Sequence, residues 1–145
     1  MKQLFITSIM IVAAVSQLLA TDPPAEVKAS FDEMFPDVGE VEWDFIEEDT
    51  IHMAWFNLEE AAIEAFFLPD GLWIRTVTYL GDDALPEAVL EYFSKEMPEL
   101  EEFTTVMLID DPEESFFQVS FDVEEDGEMT GYFLAFDIEG NLIEE

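Results

Sequence analysis

The sequence offers few side chains for nucleophilic or acid–base catalysis. His52 is the only histidine, and there is no cysteine. Hydrolysis by an activated nucleophile needs a serine, threonine or cysteine beside a base that a third group orients. His52 lies between Ile51 and Met53 in a predicted strand, and no Gly-x-Ser-x-Gly turn is present to expose a serine. We therefore predict no catalytic residues and a protein that is not an enzyme.

Metal chemistry is limited by the same shortage of ligands. Zinc prefers nitrogen and sulfur ligands, whereas calcium takes the oxygen ligands that are plentiful here. Asp122-x-Glu124-x-Asp126-Gly127 matches the start of an EF-hand loop, but its twelfth position is Phe133 instead of glutamate. The sequence thus predicts no dedicated metal site and no cofactor, and it leaves weak cation binding open.

The charge of the chain narrows the classes of partner. Among 145 residues, 36 are acidic and 4 are lysine or arginine, which gives a formal net charge of −32. Nucleic acids and anionic membrane surfaces would be repelled by such a molecule. A protein or peptide partner fits, and a basic one fits best; self-association stays an alternative. The acidity is equally typical of a solvated surface that keeps an apolar chain soluble.

The first twenty residues have the layout of an export signal. Lys2 precedes an apolar stretch from Leu4 to Val15, and the run Leu18-Leu19-Ala20 ends on a small residue. The apolar stretch is too short for a membrane-spanning helix, which needs roughly 20 residues. We expect residues 1–20 to be a signal peptide that is cleaved after Ala20, and the mature protein to be periplasmic or secreted.

Two similar segments follow the signal peptide. Residues 24–31 align with residues 86–93, and at the same spacing Phe35-Pro36 aligns with Met97-Pro98. Each segment has a proline at its start and apolar residues three or four positions apart, which predicts a short amphipathic helix. The pattern then changes to the alternation of strands, separated by turns such as Pro69-Asp70-Gly71 and Glu124–Gly127.

These elements predict an α+β fold made of two tandem repeats, residues 21–81 and 82–145. Each repeat would contain a short helix followed by about four antiparallel strands. We expect the two sheets to lie side by side with both helices on one face. One copy of about 60 residues has a marginal core on its own, so the two repeats should fold together as one compact domain.

Several motifs resemble the PepSY-like family of exported bacterial proteins, also described as β-lactamase-inhibitor-like. The resemblance spans almost the whole mature chain. It rests on Pro-Pro-x-x-Val-x-x-x-Phe at 23–31, Phe35-Pro36, Val41-x-Trp43, Asp70-Gly71-x-Trp73, Leu85-Pro86-x-x-Val89 and Phe136-Asp137-x-x-Gly140. The resemblance implies an exported, inhibitor-like binding protein.

The alternation of the strands also predicts a contact surface. It assigns Phe117, Val119, Phe121, Leu134 and Phe136 to the helix-covered face, and the same register in the first repeat assigns Met53, Trp55, Ala65 and Phe67 there. The residues predicted on the open face as a binding site are His52, Phe56, Phe66, Phe116 and Phe133. A register slip of one residue would place these rings in the core instead.

We expect a non-catalytic binding module that presents this sheet face to a protein or peptide. The leading alternative is an acidic structural or stress-related envelope protein with weak cation binding.

Overall fold

The structure, a computed structural model, describes residues 22–46 and 50–143. The predicted signal peptide, residues 1–20, lies outside these residues. Within the described part of the chain, no helix has both the length and the apolar character that crossing a membrane requires.

Two α-helices occur in the described residues, and they coincide with the two similar segments. Helix α1 spans Ala25–Met34 and helix α2 spans Glu87–Glu96. Pro24 and Pro86 occupy the N-cap positions, and their carbonyl oxygens accept the backbone N–H groups of the third and fourth residues of each helix. Because proline lacks an N–H, this position costs the helix no hydrogen bond.

Seven strands form one antiparallel sheet in which each strand pairs with its neighbours in sequence. The strands are β1 (Val41–Ile46), β2 (Ile51–Leu58), β3 (Ala61–Phe67), β4 (Trp73–Leu80), β5 (Thr105–Asp110), β6 (Ser115–Glu125) and β7 (Glu128–Asp137). A short 3-10 helix, Asp82–Ala84, follows β4.

The predicted arrangement of two tandem repeats with separate sheets side by side is wrong. Strand β4 pairs with β5 from Thr76↔Asp110 to Leu80↔Val106, so a single sheet continues through the connection that contains α2. Three strands, rather than about four, follow α2, and Leu142 makes only an isolated bridge to Phe136. Direct pairing satisfies backbone groups that two separate sheets would leave unpaired at their facing edges.

The chain divides into two compact units that are described separately. Unit 1 comprises the described residues of Met1–Asn57 together with Glu64–Ile74. Its core centres on Phe31 of α1, which packs edge-on against Trp43 and Phe56 with ring centroids 5.2 Å away in both cases. Ser30 Oγ donates a hydrogen bond of 2.7 Å to the carbonyl oxygen of Gly71, which fixes the turn before β4 against α1.

Unit 2 comprises Leu58–Ile63 and the described residues of Arg75–Glu145. Phe93 of α2 is its central ring and contacts Phe121 at 5.5 Å and Phe136 at 5.7 Å. Further apolar side chains complete this core, which places α2 on one face of the strands of the unit. The other buried residues of the cluster are Leu85, Val89, Val106, Phe117 and Val119.

Candidate functional site

The candidate site is the face of the unit 2 strands that lies opposite α2. Directly paired residues in an antiparallel sheet place their side chains on the same face. Two rows of pairs cross the strands on this side. They are Val77↔Ile109↔Phe116↔Asp137 and Tyr79↔Met107↔Gln118↔Ala135. Phe133 pairs with Ser120 one step further along. We call these ten residues the opposite face of unit 2.

The apolar residues of this face differ in exposure. Val77 and Ile109 are buried, and Met107 and Phe116 are half-buried. Tyr79 and Phe133 are exposed, with 55% of the Phe133 side chain accessible. The opposite face of unit 2 therefore has a packed apolar strip with two exposed aromatic rings, and such a patch is typical of contact surfaces.

Two of the five predicted site residues, Phe116 and Phe133, lie on the opposite face of unit 2. They are not adjacent: Phe116 pairs with Asp137, four residues beyond Phe133, so the two backbone positions lie about 14 Å apart along the strand direction. Phe66 lies in unit 1 and alternates with the buried Ala65 and Phe67, which puts it on the face of β3 away from α1.

The predicted placement of Phe56 and His52 on the open face is wrong. Phe56 is 2% exposed, and its ring lies 4.8 Å from that of Phe35, on the side of β2 that α1 covers. His52 has the same parity and is 7% exposed. The predicted register of β2 is shifted by one residue, and such a shift exchanges the two faces of a strand.

Some exposed apolar residues were not predicted from the sequence, and for Trp55 the reason is the same shift of β2. Trp55 was predicted in the core, yet it is 49% exposed and pairs with Glu42 of β1. Tyr79 and Met107 of unit 2 were not predicted as site residues. The signal that would have found Tyr79 is the alternation of β4, in which Tyr79 and Val77 share a parity.

Carboxylates at the turns that border the opposite face are held by backbone N–H groups. Asp137 Oδ1 accepts hydrogen bonds from the N–H of Asn141 at 2.9 Å and of Glu139 at 3.0 Å. The bond from Asn141 is the main cause that lowers the pKa of Asp137. At the β5–β6 turn, the N–H of Glu114 likewise lowers the pKa of Asp111. These aspartates stay ionised and add negative charge beside the face.

The described residues contain no group of three or more histidine, cysteine or acidic side chains placed to hold a metal ion. The sequence resembling the start of an EF-hand loop instead ends in a two-residue hairpin turn. Asp126 and Gly127 both have positive φ angles there, 51° and 83°, and Glu125 pairs with Glu128. These are the features of a type I′ turn, which joins two strands rather than enclosing an ion.

Comparison with known proteins identifies the fold. No family model matches the chain, and none of the curated proteins matches it. Solved structures from Bacteroides species do match. A DUF2874 family protein from Bacteroides ovatus has a TM-score of 0.71 and 23% sequence identity, over 85% of this chain and 86% of that one.

Two further structures give the same result. A BLIP-like protein from Bacteroides fragilis has a TM-score of 0.71 and 21% identity, over 85% of this chain and 84% of that one. A protein from Bacteroides eggerthii, described as a predicted periplasmic protein, has a TM-score of 0.70 and 20% identity, over 85% of this chain and 87% of that one. The chain therefore shares the fold of the DUF2874 and BLIP-like (β-lactamase-inhibitor-like) proteins.

Proposed function

We propose that this protein is an exported, non-catalytic binding module, working in the periplasm or outside the cell. The single observation that supports this most is the opposite face of unit 2, where Phe133 and Tyr79 stand exposed beside a packed apolar strip. Large exposed aromatic residues often anchor protein partners because they bury much apolar area on contact. The proposed ligand is a folded protein or a peptide that covers these rings.

The proposal of an inhibitor-like role draws on the shared fold. One protein with this fold is described as BLIP-like and another as a predicted periplasmic protein. The signal-like residues 1–20 favour the same compartment. Catalysis is disfavoured because the only histidine is buried in β2 and the sequence contains no cysteine.

The acidic charge favours a second candidate function, an acidic structural or stress-related envelope protein. The two candidates differ in whether the opposite face of unit 2 matters. A binding module needs that face for its activity, whereas a protein that acts through its charge does not.

The experiment compares the wild-type protein with Phe116→Ser and Phe133→Ser as bait in periplasmic extract, and as inhibitor in a β-lactamase assay. Glu139→Ser serves as the matched control, because Glu139 is exposed in the turn after β7. We expect one partner that the wild type and the control retain and the two phenylalanine variants lose, with melting temperatures within a few degrees of the wild type. Equal recovery of all proteins with all four baits would contradict the proposal.

A further inference from the structure

The first half of the outer edge of β7 has backbone N–H and C=O groups that no strand of the described residues pairs. Strand β7 is the last in the sheet order, so no strand of the described residues pairs with the outer side of its first half. Glu128 pairs with Glu125 across the hairpin turn, and in an antiparallel ladder the backbone groups of alternate residues point to the same side. The residues of this half whose N–H and C=O groups point outward are Met129, Gly131 and Phe133.

The second half of the same edge is already paired with the segment 141–143. The N–H of Asp137 donates to the carbonyl oxygen of Asn141, and the N–H of Ile143 donates to that of Ala135, both at 2.8 Å. Leu142 bridges Phe136 in antiparallel orientation. The segment 141–143 therefore shows that the outward backbone groups of this edge can pair with an extended segment, and it confirms that those of the odd-numbered residues Ala135 and Asp137 point outward.

The first half of the edge opens into a groove beside this segment. The groove has a volume of about 440 Å³. Its lining residues are Gly131, Tyr132, Phe133, Leu134, Ala135 and Ile143. An extended peptide added along the first half of this edge would lie in this groove and meet the backbone groups of Phe133, Gly131 and Met129 in turn.

The side chains along the edge do not protect it. Exposed edges are normally guarded by charged residues, proline or bulges. Residues 129–135 contain no charged residue, although 36 residues of the chain are acidic. At the other terminal strand, β1, Glu42 and Asp44 alternate along the strand, and Asp44 Oδ1 accepts the N–H of Phe45 at 2.8 Å. Residues 129–135 of β7 have no comparable charged side chains along the outer edge.

The charge around the outer edge of β7 favours a basic ligand. The uncharged run is flanked by Glu124, Glu125, Asp126 and Glu128 at the hairpin and by Glu139 beyond the strand. Two copies of this chain would bring these acids and a net charge of −32 each together. A positively charged segment would meet attractive charge at both ends of the groove.

We propose that the outer edge of β7 binds an extended basic peptide segment as an added antiparallel strand. The peptide's backbone pairs with Met129, Gly131 and Phe133, and its basic residues face the flanking acids. This site goes beyond the proposed function, because it uses the backbone of β7 rather than the side chains of the opposite face. Phe133 belongs to both sites: its side chain lies on the opposite face of unit 2, and its N–H and C=O groups lie at the outer edge of β7.

The first test uses labelled ten-residue peptides and fluorescence anisotropy. The probe alternates lysine with valine, and two matched peptides replace every lysine by glutamate or carry N-methyl groups on two adjacent central residues. The N-methylated peptide keeps the charge of the probe. Because its two methyl groups lie on opposite sides of the extended peptide, neither side can form the full set of backbone hydrogen bonds with β7. It therefore separates strand pairing from charge attraction alone. We expect both matched peptides to bind at least about tenfold more weakly than the probe, and the probe to shift the amide resonances of Met129, Gly131 and Phe133.

The second test compares Gly131→Pro with Gly131→Ala. Proline removes the outward N–H without breaking a bond to β6, whereas alanine keeps it. A Cβ at position 131 meets only the Asp122 carboxylate oxygen, at 3.4 Å. We expect Gly131→Pro to weaken probe binding at least about tenfold and Gly131→Ala to bind like the wild type. If Gly131→Pro does not fold, the N-methylated peptide decides the question on the wild-type protein.

Several results would overturn this proposal. Equal binding of the lysine and N-methylated peptides would mean charge attraction without strand pairing. A wild-type dimer that Gly131→Pro converts to monomer, with no probe binding, would show that a second copy occupies the edge. Phe116→Ser should leave probe binding unchanged, so failure of this proposal and failure of the proposed function are distinguishable.

Discussion

Gly140 lies directly against Ala88 of α2, so close that a Cβ atom at position 140 would fall 2.7 Å from the Ala88 Cβ. Its φ angle is +96°, in the region that favours glycine. Glycine at this position therefore lets the turn after β7 pack on the first turn of α2.

Replacing Gly140 by alanine should lower the free energy of unfolding by about 3 kcal/mol, since backbone strain and overpacking each cost about 1–3 kcal/mol. Gly127→Ala is the matched control, because Gly127 also has a positive φ of 83° but nothing lies within 4 Å of its Cβ position. The control should cost about 1 kcal/mol. Urea unfolding of both variants gives the values, and equal losses would show that contact with α2 is unimportant.

The second prediction concerns the two faces of β2. Phe56→Ala should lower the free energy of unfolding by about 3–5 kcal/mol, because its buried ring packs against Phe31 and Phe35 in unit 1. Trp55→Ala, one residue earlier and 49% exposed, should cost less than half as much. Chemical denaturation of the two variants measures the difference. If Trp55→Ala lost more free energy of unfolding than Phe56→Ala, the register of β2 expected from the sequence would be the correct one.

This strand also shows why the sequence predicted one half of the site better than the other. In β6 only one parity is consistently apolar, and the turn at Asp126–Gly127 fixes the register of β7 against β6, so the faces of Phe116 and Phe133 were predictable. In β2 both parities carry a large aromatic ring, Trp55 and Phe56. Alternation alone then gives no preference, and only packing against α1 decides which ring is buried.

The continuity of the sheet was not predictable for a different reason. Alternation indicates which residues share a face, but it contains no information about which strand lies at each edge. The pairing of β4 with β5 joins segments that are separated in sequence by α2. The similarity of the two helical segments suggested separate repeats, because local patterns do not report such long-range pairing.

The hairpin between β2 and β3 leads to the third prediction. Glu59 and Glu60 both have positive φ angles, 51° and 71°, and no other non-glycine residues of the described chain do so except Asp126. Asparagine and glycine are the residues that a type I′ turn prefers. Glu59→Asn combined with Glu60→Gly should raise the free energy of unfolding by about 1–2 kcal/mol.

The control for this prediction is the pair Glu59→Gln and Glu60→Gln, which removes both charges and keeps the side-chain size. Thermal and urea unfolding should give a clear gain for the Asn-Gly variant and a smaller one for the glutamine variant. If the glutamine variant gains as much, charge repulsion rather than backbone strain explains the effect.

The last prediction follows from the Asp137 carboxylate, whose pKa is lowered mainly by the N–H of Asn141. A carboxyl group whose pKa is lower in the folded state contributes stability above its ordinary value of 3.8, and this contribution is lost as the pH falls through the folded-state value. Asp137→Asn should therefore destabilise the protein at pH 7, and the difference from the wild type should shrink below about pH 4. Asp32→Asn, on exposed α1, controls for the loss of one charge. Urea unfolding between pH 7 and pH 3 measures the trend. A difference between wild type and Asp137→Asn that stays constant to pH 3 would show that the ionised carboxylate does not hold the turn through which Asn141 and Ile143 reach the edge of β7.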